Sequence, residues 1–328
     1  MIKIPPFAAM LSLAFSGLLL QAEAFGQADN YPSRPVKIIV SYPPGGTTDL
    51  VARVVGQKLS EFWGQPVVVE NRPGASGNIG TQVAAKSPAD GYTILQSSVA
   101  IQSINPALHR DPGYDPVRDF ASVAKIATSI NVLVVNPQLP VRSVRELIAY
   151  TRANPGKVAY ASPGSGTSPH LSTELFKATT GADALHVPYK GSAPMLADLI
   201  GGQVQFAIDN LPASLPHVRS GKLRALAVTG PRRAADLPDV PTMVEAGVAG
   251  YEVTTWWSFV VPAGTPPAVV FKINADTVRA LQSADVRDRM TKQGLEPTPS
   301  TPVELDALAK AELARWSKLI KDIGARAD

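Results

Sequence analysis

The chain has 328 residues, 45% of them hydrophobic, with no cysteine, four histidines and a formal net charge of +4. The lack of cysteine excludes a disulfide framework, thiol catalysis and any cysteine-bearing metal site; stability must come from packed cores, and the length suffices for two ordinary lobes. Lysine and arginine are scattered singly, with Arg232-Arg233 the densest pair, so nucleic acid is a poor partner and small anions are favoured.

The first residues carry the pattern of an export signal: Lys3 as a short positive region, an apolar stretch from Ala8 to Leu20, and the small-x-small site Ala22-Glu23-Ala24. Residues 1–24 are expected to be removed, with a second candidate cut after Ala28. The apolar run is shorter than a bilayer span, which predicts a soluble, periplasmic mature chain.

Lys37-Ile38-Ile39-Val40 and Val67-Val68-Val69 are short β-branched runs bounded by Pro and Gly, the look of strands buried on both faces. Between them Val51, Val54, Val55, Leu59 and Phe62 recur at helical spacing, with Gly64 as a stop. A helix from Ser76 to Lys86 then leads to Tyr92-Thr93-Ile94-Leu95, a third parallel strand. Residues 121–136 read as nearly continuous strand, longer than one normal strand, hence either two strands or one passing between lobes.

A second α/β series follows. Ser143-Val144-Arg145-Glu146 is a capping-box pattern opening a helix to Ala153, and Lys157 to Ala161 is a strand. Leu171, Leu175 and Phe176 mark a helix, Ala184 to Val187 a strand, Ala193 to Ile200 a helix ended by Gly201-Gly202, and Val204 to Ile208 and Leu223 to Val228 two more strands. Trp256 to Val261 is a strand suited to cross back. Two helices, Pro267 to Ser283 and Pro302 to Ile323, close the chain and are expected to pack on the first lobe; the second opens with the capping box Thr301-Pro302-Val303-Glu304. The expected lobes are residues 29–128 with 250–328, and residues 129–249.

Two glycine turns sit where a strand should hand over to a helix: Tyr42-Pro43-Pro44-Gly45-Gly46-Thr47-Thr48-Asp49, and Ser162-Pro163-Gly164-Ser165-Gly166-Thr167-Ser168-Pro169-His170. Free N–H groups and the positive end of the helix dipole make each a backbone anion site. An ordinary capped loop explains either alone; two on different lobes point to half-sites closing on one ligand. Asp49 reads equally well as a carboxylate favourable against the dipole or as a polar partner for the ligand, and His170 as a donor to its loop or to an anion. Ser98 and Asp209 lie at the carboxyl ends of strands, where α/β sheets bind ligands. Tyr42, Tyr189, Trp256 and Trp257 are candidate cleft aromatics, although core packing explains any one of them. Arg72 is a further candidate for a carboxylate, with a surface ion pair as its commoner fate.

Catalytic patterns are mostly missing. There is no G-x-S-x-G elbow, no lysine after either glycine turn as in a P-loop, and no G-x-G-x-x-G. His109, His170, His186 and His217 lack a paired-ligand spacing, so neither a metal nor a cofactor is expected. Ser165 or Ser168 with His170 keeps a secreted serine hydrolase as the alternative.

The chain resembles the substrate-binding proteins of tripartite tricarboxylate transporters, the Bug family. The resemblance rests on Tyr31 to Val36, Tyr42 to Asp49, Val69 to Gly77, Ser87 to Thr93, Gly164 to Leu171, Val187 to Gly191, Asp209 to Pro212 and Pro262 to Pro266, all in order. It implies a type II periplasmic binding-protein fold, two α/β lobes each built on a mainly parallel sheet and closing on a small carboxylate. It further implies that the turns matching Tyr42, Gly45, Gly46, Thr47 and Asp49, and Ser162, Gly166, Thr167, Ser168 and His170, hold a ligand carboxylate, and that the protein delivers it to a membrane permease without catalysis. Expected partners are a di-, tri- or aromatic carboxylate and that permease, with the chain itself a monomer. A carboxylate-sensing partner of a membrane sensor would share the same site.

Overall fold

A computed structural model describes residues 30–325, so the export signal read at residues 1–24 and the cut after Ala28 lie outside the described residues. Strand β1 (Val36–Val40) leads through helix α1 (Thr47–Trp63) to β2 (Val67–Asn71), then through a single tight turn at Ala75–Gly77 and α2 (Asn78–Ala85) to β3 (Thr93–Ser98). β1 pairs in parallel with both β2 and β3. The Val67 to Val69 run differs from its expected burial on both faces: β2 is an edge strand, and Val68 is half exposed. A π-helical turn, Ala100–Ile104, runs into the short α3 (Asn105–Leu108).

The ambiguous stretch is one 16-residue strand, β4 (Phe120–Val135). After it come α4 (Val144–Ala153), β5 (Ala159–Ser162), α5 (Ser168–Thr180), β6 (Leu185–Pro188), α6 (Ser192–Ile200), β7 (Phe206–Asn210), α7 (Leu211–Arg219) and β8 (Arg224–Val228). The chain returns along β9 (Thr254–Pro262) and ends in α8 (Pro267–Gln282), α9 (Ala284–Thr291), the two-residue β10 (Glu296–Pro297) and α10 (Pro302–Ile323).

The strands form one sheet in the order β2-β1-β3-β9-β4-β7-β5-β6, with β8 and β10 also paired to β4. Three parallel strands lie in each half, and β5 holds β6 and β7 as β1 holds β2 and β3. Antiparallel β9 and β4 join the halves. β4 serves both by changing partner along its length: residues up to Ile130 pair with β9, with register shifts at Ser122/Ala124 and Lys125/Ala127, and Asn131 to Val135 pair with β7. Such irregularities increase local twist, which lets one strand leave the plane of the first half and enter the second.

Helix α8 packs on α1 and β4 in the first half, as its apolar face predicts. α10 does more than the expected return to the first lobe. It lies against β4, the π-helical turn and α3, and also reaches α5 of the second half. Its Leu305, Trp316 and Ile320 share one core with Ile104, Leu133, Tyr160 and Phe206. The capping box at Thr301 and Glu304 is complete, and Arg315 donates to the Glu252 carbonyl at 2.9 Å.

Trp316 is 1% exposed and anchors this core, donating its indole N–H to Glu312 at 3.0 Å. Trp316→Ala is expected to cost about 3–5 kcal/mol by leaving a cavity between the halves. Urea denaturation checks this; a loss below about 1 kcal/mol, the range of a surface substitution, would show that α10 is not a structural tie.

Candidate functional site

A cavity of about 60 Å³ lies between the halves, at the carboxyl ends of β1, β3, β5 and β7. From the first half it is walled by Tyr42, Gly46, Thr47, Thr48, Ser98 and Trp257; from the second, by Thr167, Ser168, Gly191, Ser192 and Asn210. None of its lining side chains carries a formal charge.

What the wall offers is helix N-termini. α1 starts at Gly46, α5 at Thr167, α6 at Gly191 and α7 at Asn210, and all four caps touch the cavity. Gly46, Gly191 and Asn210 give no side-chain cap, so the opening N–H groups of those helices are not taken up by a cap, although Pro194 and Pro212 remove one such donor each from α6 and α7. Four positive dipole ends on one small space make an anion site. The third start follows the same strand, glycine and helix pattern as the first two, in Pro188-Tyr189-Lys190-Gly191-Ser192, so a local signal for it was present in the sequence.

In the first turn the candidates divide into wall and support. Thr47 Oγ1 is buried with no partner among the described residues, and Thr48 Oγ1 accepts from the Trp257 indole at 3.0 Å. Burial pushes the Tyr42 phenol well up, opposed by the neighbouring Ser98 hydroxyl, so it stays protonated. Asp49 stands back from the cavity. Its carboxylate accepts from Gly45 N–H at 3.1 Å, Arg53 Nε at 3.0 Å and Asn71 Nδ2 at 2.9 Å. Burial works to raise its pKa, and these bonds outweigh it, holding the carboxyl below its ordinary range. Asp49 is thus the clasp of the turn, and Gly45 donates inward to it rather than to the cavity.

The second turn divides likewise. Thr167 and Ser168 face the cavity, while Ser162, Gly166 and His170 form the layer beneath. Ser162 Oγ meets His186 Nε2 at 2.6 Å, and the Gly166 N–H donates to His170 Nδ1 at 3.1 Å. His170 therefore accepts from its loop where donation was expected. Its ring stacks on His186 with centroids 4.3 Å apart, and His186 stacks on Tyr160 at 4.7 Å. With His170 Nδ1 engaged by Gly166, neither Ser165 nor Ser168 is hydrogen-bonded to His170 among the described residues.

Asp209 is fully buried behind the wall, accepting from Ser214 Oγ at 3.0 Å and Ser192 Oγ at 3.4 Å, and its neighbour Asn210 takes the place at the cavity. Asn131, which no sequence pattern marked, donates to Ser172 at 2.8 Å and Ser168 at 3.4 Å and accepts from the Asn210 amide at 3.4 Å. Trp256 belongs to the core under α10, Tyr189 donates to Asp198 at 2.8 Å, and Arg72 pairs with Glu70. Among the described residues no cluster of three or more His, Asp or Glu is placed to hold a metal ion, and no helix is long and apolar enough to cross a membrane.

Residues 51–325 match the tripartite tricarboxylate transporter family receptor. The chain belongs to this receptor family. BugT from Bordetella pertussis (strain Tohama I) is 43% identical to the receptor over 300 residues, covering 91% of this chain and 92% of BugT. Two solved structures share its fold: an adipate-bound protein of R. palustris, with TM-score 0.87 and 44% identity, covering 90% of this chain and 98% of the other; and MatC from Rhodopseudomonas palustris with bound malate, with TM-score 0.85 and 32% identity, covering 88% and 100%.

Gly166 has φ 75°, and a Cβ there would stand 2.8 Å from Asn105 Oδ1 of the first half. Gly46 has φ −88° and open space around it. Gly166→Val is therefore expected to destabilise the receptor by about 1–3 kcal/mol through backbone strain, whereas Gly46→Val should cost under about 1 kcal/mol. Urea midpoints of the two variants test this; equal losses would mean that neither the positive φ nor the Asn105 contact constrains position 166.

Burial pushes His170 and His186 down from 6.5 to about 4. The unfolded chain binds these protons at the higher value and the folded receptor at the lower, so stability falls as pH drops from 6.5 to about 4. Asp209 acts oppositely: burial pushes it up to about 6, so its contribution strengthens as pH falls from there toward 3.8. His170→Asn keeps an acceptor for Gly166 and removes one titrating ring. Its stability should decline less steeply than that of the unaltered receptor across the histidine window, and parallel declines would overturn the neutral-stack assignment.

Proposed function

We propose that the chain is a periplasmic solute-binding protein, non-enzymatic and monomeric, that captures a small carboxylate between its halves for uptake by a tripartite-type membrane permease. One observation carries this reading: four helix N-termini meet at a cavity whose lining side chains include no cation and no carboxylate. Neutral donors and dipole ends bind an anion without the desolvation of a buried counter-ion.

Size and relatives favour the same class. Since a water needs about 10–15 Å³ by the same measure, the 60 Å³ space fits a short acid and is too small for a nucleotide. Adipate and malate are the ligands of the two related structures, and periplasmic export agrees with the family and with the leader pattern of residues 1–24. Residues 30–128 with 250–325, and 129–249, would be the closing bodies, with β4 and the chain before β9 as the crossings.

A micromolar site needs about −8 kcal/mol, and each hydrogen bond to a charged group contributes about 1.5–3 kcal/mol, so donors from both halves are required. A panel of four- to six-carbon and aromatic acids should contain one that raises the melting temperature. Thr47→Val should then weaken its binding about 10- to 100-fold in calorimetry. No shift with any acid would overturn the receptor reading.

A further inference from the structure

A hydroxyl has one proton to give, and where that proton goes decides what the oxygen can offer a ligand. On the α1 wall, Thr48 Oγ1 accepts from Trp257, leaving its own proton for the cavity, and Thr47 Oγ1 has no partner among the described residues. Ser168 Oγ accepts from Asn131 Nδ2 at 3.4 Å and keeps its proton as well. With the opening N–H groups of α1, this part of the wall donates.

The Ser192 and Asn210 part of the wall is wired the other way. Ser192 Oγ donates to Asp209 Oδ1 at 3.4 Å, and Ser214 Oγ donates to Oδ2 at 3.0 Å. An ionised carboxylate can only accept, so Asp209 takes the Ser192 proton and turns the Ser192 lone pairs to the cavity. Asn210, which lines the cavity, directs an amide N–H to Asn131 Oδ1 at 3.4 Å, and its side-chain oxygen is an acceptor only. The α6 dipole alone would favour a second anion here; the Asp209 charge directly behind Ser192 opposes one.

We propose that the preferred ligand is a bifunctional acid, with a carboxylate held by the α1 and α5 N-termini and a hydroxyl or ammonium group donating to Ser192 Oγ and Asn210 Oδ1. This rests on the carboxylate-receptor reading above. A plain diacid, ionised at both ends, has no proton for Ser192 and places a second charge in front of Asp209.

Calorimetry on the full mature chain at neutral pH, with four- and six-carbon sets of matched length, tests the assignment. Each set contains the plain monoacid, the diacid, the ω-hydroxy acid and the ω-amino acid. At one length the hydroxy or amino acid should bind at least about tenfold tighter than both the diacid and the monoacid. Ser192→Ala should bring that ligand to within about threefold of the monoacid. Asp209→Asn, which can donate to Ser192 and frees the serine proton, should shift the preference toward the diacid, with thermal melting confirming that both variants are folded. A diacid that binds tightest, with a ranking unchanged in both variants, overturns the inference and leaves the receptor reading standing. Absence of binding by every acid overturns the receptor reading itself.

Discussion

The arrangement depends on an electrostatic problem: four helix N-termini of like polarity face one small space. Each carries the equivalent of about half a positive charge, so bringing α1 of the first half up to α5, α6 and α7 of the second is unfavourable until something negative lies between them. In the proposed receptor the anion would be more than cargo. It would be the counter-charge that makes close approach of the halves favourable, and contacts between the halves limit that approach: a Cβ on Gly166 would strike Asn105, and one on Gly191 would come within 3.3 Å of Pro43.

An anion site made this way tolerates no stray carboxylate on its wall, and the structure moves the nearby carboxylates and imidazoles one layer back. Asp49 is tied by Arg53, Asn71 and the Gly45 N–H. Asp209 is covered by Ser192 and Ser214, and the two histidines are stacked and neutral under the second turn. These groups shape the wall by choosing which proton points where. Ser162, held by His186 at 2.6 Å, gives the strand end a fixed position without reaching the cavity.

The sequence made visible what is local. Glycine beside hydroxyls between a strand and a helix is a short-range pattern, so the α1 and α5 starts were legible, as were the full capping box at Thr301, the side-chain cap at Ser143, whose Glu146 carboxylate turns instead to the Arg142 N–H, and the alternation of strands and helices. Partners far apart along the chain were not. Trp257 meets Thr48, Asn131 meets Ser168, and Ser192 meets Asp209 only because the sheet order brings them together. Edge position was equally hidden: Val67 to Val69 is as apolar as a central strand, and only the sheet order exposes Val68. For the same reason Asp209 and Asn210, adjacent at a strand end, could not be told apart until strand pairing showed which faced the cavity.

The two chain crossings connect the mechanics of the halves to the chemistry of the wall. Thr229 sits between them: its N–H donates to the Asn131 carbonyl at 2.9 Å, its hydroxyl accepts from the Asn131 N–H at 2.8 Å and donates to the Val253 carbonyl at 2.7 Å. Asn131 is the residue at which β4 leaves β9 and takes up β7. In the proposed closing motion a rotation of one half against the other would turn the backbone at this change of partner and carry the Asn131 side chain with it. Because that side chain is bonded to Ser168 and Asn210, the orientation of two wall groups would be coupled to the angle between the halves. Closure and the polarity offered to the ligand would then be set by the same few bonds, and a ligand that mismatches the wall would also strain the crossing.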